Sequence, residues 1–574
     1  VGSIGLRLEH NARHLKSAVA IRSAEETLSH GELNRRVNRT ARAFARAGIR
    51  SGDAVGVLMD NRVAVFVMVG ALSKLGAIAA LVNTNQRGDV LTHSFTVARC
   101  AAAVVGEEHW PVFAEVSKAV KLPPDRQFWV ADSPDACGCG ALDTRPEAQA
   151  PPESVDLGEA SFELNGADPV WTSAVRLGDP CFYIFTSGTT GLPKASVMTH
   201  MRWTKAGAAY GEAMLALSSD DCVYAPLPLY HNMALSVGWG SAATTGASLA
   251  IRRKFSASAY WSDCRDYGAT ALVYIGELPR YLLAATPGPG DRDHSVRAAV
   301  GVGLRPDLWT EFQERFGVPG IFETYAASEG NTIFLNAFNV QKTVGVCPTP
   351  HAIVKYDIEN DEPVCDANGR LIRVGPGEAG LLLGKVTGRF DFDGYTDAKA
   401  SEKKLIRGAF KDGDVWFNSG DLLRKVGWGH AEFVDRVGDT FRWKSENVAT
   451  GEVENVINQV SWVAESTVYG VEVEGMEGRA GMVALTLCPG AEFDSIDLGR
   501  TLSEKLPDYA IPVFVRLRSA LDVTGTFKHQ KTQLKKDGWD PRSSADPVLV
   551  RAGGEYVPLS EPLRSAIQAG LQRL

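Results

Sequence analysis

The stretch from Phe182 to His200, FYIFTSGTTGLPKASVMTH, constrains this chain more than any other. Its opening run of aromatic and β-branched residues predicts a buried strand. The run changes abruptly into Thr186-Ser187-Gly188-Thr189-Thr190-Gly191, where four hydroxyls and two glycines share six positions. Glycine lets the main chain approach a ligand closely and adopt positive φ, so such a loop can turn N–H groups and hydroxyls toward an anion. Lys194, directly behind Pro193, adds a point charge at the same place. Together these residues predict a polyphosphate cradle. The P-loop is excluded, because it needs Gly-Lys-Ser/Thr opening a helix and no such string occurs. A bare TSG or TTG would be read as a surface turn; the complete string is not.

The chain has 574 residues, too many for one hydrophobic core. Hydrophobic residues make up 45% and charged residues 22%, an ordinary globular composition, and the net charge of −8 argues against nucleic acid as a partner. Nine cysteines with only Cys137 and Cys139 close together form neither a disulfide framework nor a zinc ribbon, so a reducing cytoplasm is the expected compartment. No charged-then-apolar leader opens the sequence at Val1. Val63 to Leu81 is apolar enough to raise the question of a membrane span, but Ser73 and Lys74 interrupt it. A charge near the bilayer centre costs about 2.5–3.5 kcal/mol, so a buried helix turning into a strand is expected.

Along the chain, Ser29 is placed to start a helix, and short apolar strands at Ala54–Leu58, Ala77–Val82, Ala101–Val105 and Gln127–Val130 alternate with helical stretches. That rhythm predicts α/β architecture with mostly parallel sheets. Residues 132–180 read as a long surface connection. Val344 to about Phe433 reads as β-rich, and the remainder as a small α+β unit. The expected division is a large N-terminal part over 1–435, made of two mixed α/β sheet subdomains plus the β-rich one. A hinge follows at 436–439, and then a mobile α+β lid over 440–574.

The 182–200 string resembles the phosphate-binding signature of the adenylate-forming superfamily, which joins carboxylates to AMP. Later strings fit the same resemblance. Tyr325-Ala326-Ala327-Ser328-Glu329 is similar to its aromatic-Gly-x-Thr-Glu motif. This implies that Tyr325 stacks on adenine, Ser328 bonds the α-phosphate and Glu329 holds Mg²⁺ through a hard oxygen. Gly303, in Gly301–Pro306, resembles the adenine-pocket wall, Asp421 in Asn418-Ser419-Gly420-Asp421 the ribose carboxylate, and Arg436 the hinge-side arginine. Lys528, in Thr524-Gly525-Thr526-Phe527-Lys528, resembles the lysine that meets charge developing in adenylation; such a donor supplies roughly 2.7–4 kcal/mol. Two departures stand out. Ala326 replaces the family glycine, and Ser445 replaces another in Trp443-Lys444-Ser445-Glu446-Asn447, the string implied to line the coenzyme A channel.

Strings outside the shared motifs, among them Ala80–Gly88, Arg253–Ser258, Glu329-Gly330-Asn331 and Val434–Lys444, resemble the fatty-acid-transport-protein type of very-long-chain acyl-CoA synthetase. The resemblance implies an ATP-dependent fatty acid:CoA ligase using ATP, Mg²⁺ and coenzyme A, with Thr186, Glu329, Lys528 and His231 at the reacting groups. His231 would be a gate or carboxylate contact, and Leu229–Leu249 an apolar channel wall. Rival readings are a ligase for a steroid side-chain or aromatic acid, a ligase that stops at acyl-AMP, and a lipid-binding uptake protein with weak catalysis. Peripheral contact with the inner membrane face accompanies the resemblance.

Overall fold

The computed structural model describes residues 2–133, 149–187, 192–276, 278–306, 308–358, 360–443, 446–474, 476, 478–523 and 529–569. Runs such as Ala54–Leu58, Ile78–Leu81 and Ala271–Ile275 are buried on both faces, as continuous apolar strands must be when helices cover a parallel sheet on either side. The first two pair in parallel, and Ile78–Leu81 pairs in parallel with Pro180–Ser187. The hairpin partner Pro193–Thr199 completes a seven-stranded mixed sheet at that edge. A second, longer sheet starts in a parallel half containing Cys222–Tyr224, Ala271–Ile275, Ala298–Val302 and Gly320–Ala326. It continues through Ile333–Leu335 and Gly345–Val346 into an antiparallel half with Val415–Gly427 and His430–Arg436. The β-rich region is therefore hydrogen-bonded into the parallel sheet rather than standing apart.

Ser29 does cap a helix, His30–Arg46, accepting the Glu32 N–H. Val63–Leu75 is a helix buried all round; it ends at Gly76, whose φ of 71° is the left-handed conformation a helix C-terminus favours, and strand Ile78–Leu81 follows. Its Lys74 ammonium is wholly buried and donates to Glu9 Oε1 (2.9 Å), Asn34 Oδ1 (2.8 Å) and Asn38 Oδ1 (2.6 Å). Among the described residues no helix is long and apolar enough to cross a membrane. The connection over 149–180 carries more structure than expected: helix Leu157–Phe162 buries Leu157. Cys222–Tyr224 forms a short strand buried throughout.

From Phe441 onward a separate hydrophobic cluster runs to Ile567, built on a five-stranded sheet that opens with Val463–Val471 and Ala480–Leu487. This small domain meets the large one through Arg280 to Glu465 Oε1 (2.5 Å) and Arg424 to Glu452 Oε1 (2.9 Å). The Thr450 N–H and hydroxyl also both donate to Asp435 Oδ2, at 2.6 and 2.9 Å.

Candidate active site

Between the two sheets and beneath the small domain lies a cavity of about 2790 Å³, well beyond the roughly 300–1,000 Å³ of ordinary ligand pockets. Its lining includes Thr186, Lys194, His231, Gly303, Tyr325, Ser328, Glu329, Asp421 and Arg436. The chain thus brings together residues drawn from positions 186 to 436 of the sequence. Gly188, Thr189, Thr190, Gly191, Lys444, Ser445 and Lys528 lie outside the described residues, and of Ser187 only the backbone is described.

The hairpin of Pro180–Ser187 and Pro193–Thr199 sets Thr186 directly across from Lys194. Main-chain bonds from Val197 N to Gly394 O and from Thr396 N to Ala195 O then dock the distant segment 394–396 onto the outer strand. Tyr395 arrives with it. The Lys194 ammonium sits 5.5 Å from the Tyr395 ring centroid, and the Tyr395 hydroxyl donates to Glu329 Oε1 at 2.8 Å. Burial and the Glu329 carboxylate both push the Tyr395 phenol well up, so it remains a donor. The Glu329 carboxylate and the Thr186 hydroxyl, both lining the cavity, are hard oxygens of the kind suited to Mg²⁺, and the lysine is suited to phosphate.

A second cluster lines the same cavity. The Tyr325 hydroxyl donates to Asp421 Oδ2 at 2.6 Å, and Arg436 Nε lies 3.6 Å from the other carboxylate oxygen. Asp421 sits inside the long strand Val415–Gly427, where a register shift and Gly420 at φ 75° interrupt the ladder. The Tyr325 ring is buried, with Phe433 stacked at 6.2 Å on one side and Phe334 edge-on at 6.0 Å. Two residues earlier, Glu323 is buried with Oε2 accepting from Tyr274 at 2.5 Å and Oε1 accepting the N–H groups of Gly303 and Leu304. Burial pushes this carboxyl up to about 8, against those three donated bonds. Glu323 thereby clamps the glycine turn at 303 onto the wall of the cavity.

An apolar arm is formed by π-helical segments Gly207–Met214 and Met233–Trp239, through Tyr210 of the first and Met233 and Val237 of the second. His231 also lines the cavity, with Asn61 pinning the preceding chain by accepting from Leu229 N (2.8 Å) and donating to Leu227 O (2.7 Å). The small domain contributes Val523 and His529, which pair with one another at the two ends of segment 524–528 and both line the cavity. Trp443 is not offered to a ligand in this arrangement: it is buried in the core of the small domain. Glu446 is exposed, and neither residue lines the cavity. Sequence reasoning missed Tyr395 and Glu323. Tyr395 sits in an aperiodic Asp/Gly stretch, and Glu323 is an ordinary acid inside a strand pattern.

Residues 8–383 match the AMP-binding enzyme family, and residues 452–528 match the AMP-binding enzyme C-terminal domain. Over 558 residues the chain is 44% identical to the medium/long-chain-fatty-acid–CoA ligase FadD6 of Mycobacterium tuberculosis, covering 97% of this chain and 89% of that protein. It is 40% identical over 560 residues to long-chain fatty acid transport protein 2 of Rattus norvegicus, covering 95% and 87%. Its fold is similar to that of the anthranilate CoA ligase AuaEII in complex with anthranoyl-AMP, with a TM-score of 0.77 at 19% identity, over 93% of this chain and 96% of that one. ATP-bound MatB from Rhodopseudomonas palustris gives a TM-score of 0.75 at 20% identity, covering 93% and 99%.

Proposed function

Because the chain belongs to the AMP-binding enzyme family, in its fatty-acid-transport-protein branch, we propose that it is an AMP-forming fatty acid:CoA ligase. The observation that carries the reading is the single cavity, in which the Thr186–Lys194–Glu329 group and the Tyr325–Asp421–Arg436 group adjoin an apolar arm. Thr186 and Lys194 hold the phosphates and Asp421 accepts from the ribose hydroxyls. Arg436 reaches ribose and phosphate, and Ser328 bonds the α-phosphate. Tyr325 and the Gly303 turn wall the adenine. Mg²⁺ on Glu329 would neutralise charge on the phosphates.

In the first step a fatty-acid carboxylate oxygen attacks the α-phosphorus. A new P–O bond forms, the bond to the β-phosphate breaks, and pyrophosphate leaves. Lys528 meets the charge that builds up, and His231 contacts the carboxylate end of the acid. In the second, the coenzyme A thiolate, its proton lost to solvent, attacks the acyl carbon and AMP departs with the bonding pair. Between the steps the small domain turns about residues 436–439, withdrawing Lys528 and bringing in the Trp443–Glu446 hairpin. Acyl substrate is drawn from a membrane that the protein touches peripherally.

AMP release measured against a panel of acids, with and without coenzyme A, tests this. Medium- and long-chain fatty acids should release AMP catalytically only when coenzyme A is present. Release with aromatic or steroid acids alone would move the substrate class, and no release with any acid would leave a binding protein.

A further inference from the structure

Strands Val415–Gly427 and His430–Arg436 are closed by two residues, Trp428 and Gly429, since Gly427 faces His430 across the ladder. Their φ values of 51° and 78° make this a type I′ turn, whose first position favours Asn, Asp or Gly because larger side chains are strained there. It holds a tryptophan instead, 100% exposed. A neighbouring loop repeats the pattern: Phe338 is 74% and Val340 41% exposed. The loop is firmly built, with buried Asn336 donating to Val340 O (2.7 Å) and Thr343 O (3.1 Å) and accepting from Val340 N (2.9 Å). Phe338 packs 6.4 Å from the His430 ring, which joins the loop to the hairpin. Lys342 in that loop also carries positive φ, at 66°, so strained backbone recurs at Trp428 and Lys342, beside the displayed apolar side chains. Lys342 and Lys425 are exposed on the same elements and, among the described residues, join no ion pair. The active-site cavity reaches this face at Lys342 and Phe433.

We propose that this hairpin-and-loop face docks on an anionic lipid bilayer, with Trp428 and Phe338 at the acyl boundary and Lys342 and Lys425 among the headgroups. The proposal rests on the fatty-acid reading above and adds the surface that brings the cavity rim to the source of apolar acid. A second copy of the chain is the poorer occupant, because a two-fold contact on this face would gather the unpaired lysines of both copies into one interface.

Co-sedimentation of the full chain with phosphatidylcholine vesicles containing phosphatidylglycerol tests it. The W428A/F338A variant should lose roughly tenfold or more in partitioning, with W428F retaining most of it. The K342E/K425E variant should lose roughly fivefold or more per lysine on anionic vesicles, and far less on neutral ones. Without vesicles, W428A/F338A should melt as the parent does and, with coenzyme A, release AMP from a soluble medium-chain fatty acid at the parent rate. A parent chain that ignores vesicles, variants that bind equally well, or a lipid-free change of oligomeric state in W428A/F338A would each overturn the proposal. Absence of AMP release by the parent would instead sink the ligase reading and leave the vesicle result standing.

Discussion

Tyr395 and Glu323 show how much of the site depends on side chains that touch other side chains rather than a motif. The Tyr395 hydroxyl donates to Glu329 at 2.8 Å, and a hydrogen bond to a charged group is worth about 1.5–3 kcal/mol. Tyr395→Phe should therefore raise the KM for ATP·Mg²⁺ roughly tenfold, read by pyrophosphate release, and lower the melting temperature slightly. Glu323 is different, because burial raises its carboxyl to about 8 from an ordinary value of 4.5. Between those values the folded chain holds a proton that the unfolded chain has lost. This group's contribution to stability is thus complete below about pH 4.5 and fades as pH rises through 8. Melting temperatures taken from pH 5 to 8.5 should fall less steeply for Glu323→Gln than for the parent; parallel curves would refute it.

At the level of elements, the apolar arm depends on how closely two helical segments approach. Gly207 and Gly211 of the first π-helical segment face Gly240 and Ser241, and a Cβ at Gly207 would overlap Thr244 Oγ1 and Gly240 O. Gly207→Ala should push the segment outward, costing about 1–3 kcal/mol by chemical denaturation and altering the chain-length profile of AMP release. The 63–81 stretch illustrates what a local pattern conveys. Its apolar run and Lys74 together indicated a buried helix rather than a span, and the helix does end at Leu75. The partners that make burial of Lys74 tolerable, Glu9, Asn34, Asn38 and Asp168, are scattered over the sequence and carry no periodic signal.

Across the whole molecule, the small domain is held over the cavity by Arg280–Glu465, which is part-buried, and by the more exposed Arg424–Glu452. Reversing the charge in Glu465→Arg should slow pyrophosphate release roughly fivefold, corresponding to about 1 kcal/mol for such a pair, and Arg280→Glu in the same chain should restore much of it. Thioester formation from preformed acyl-AMP should be unaffected by either. The amino-acid sequence alone determined the α/β class and the helix capped by Ser29, and it singled out the strings proposed to serve phosphate, ribose and hinge. Each of these is written in contiguous residues whose backbone preferences and spacing act locally. Only the tertiary structure decided that Tyr395 would reach Glu329, that Glu323 would clamp Gly303, and that the β-rich region would extend the parallel sheet. Those contacts join residues tens to hundreds of positions apart, and closing such loops is governed by the packing of the whole chain, which no short window of sequence encodes.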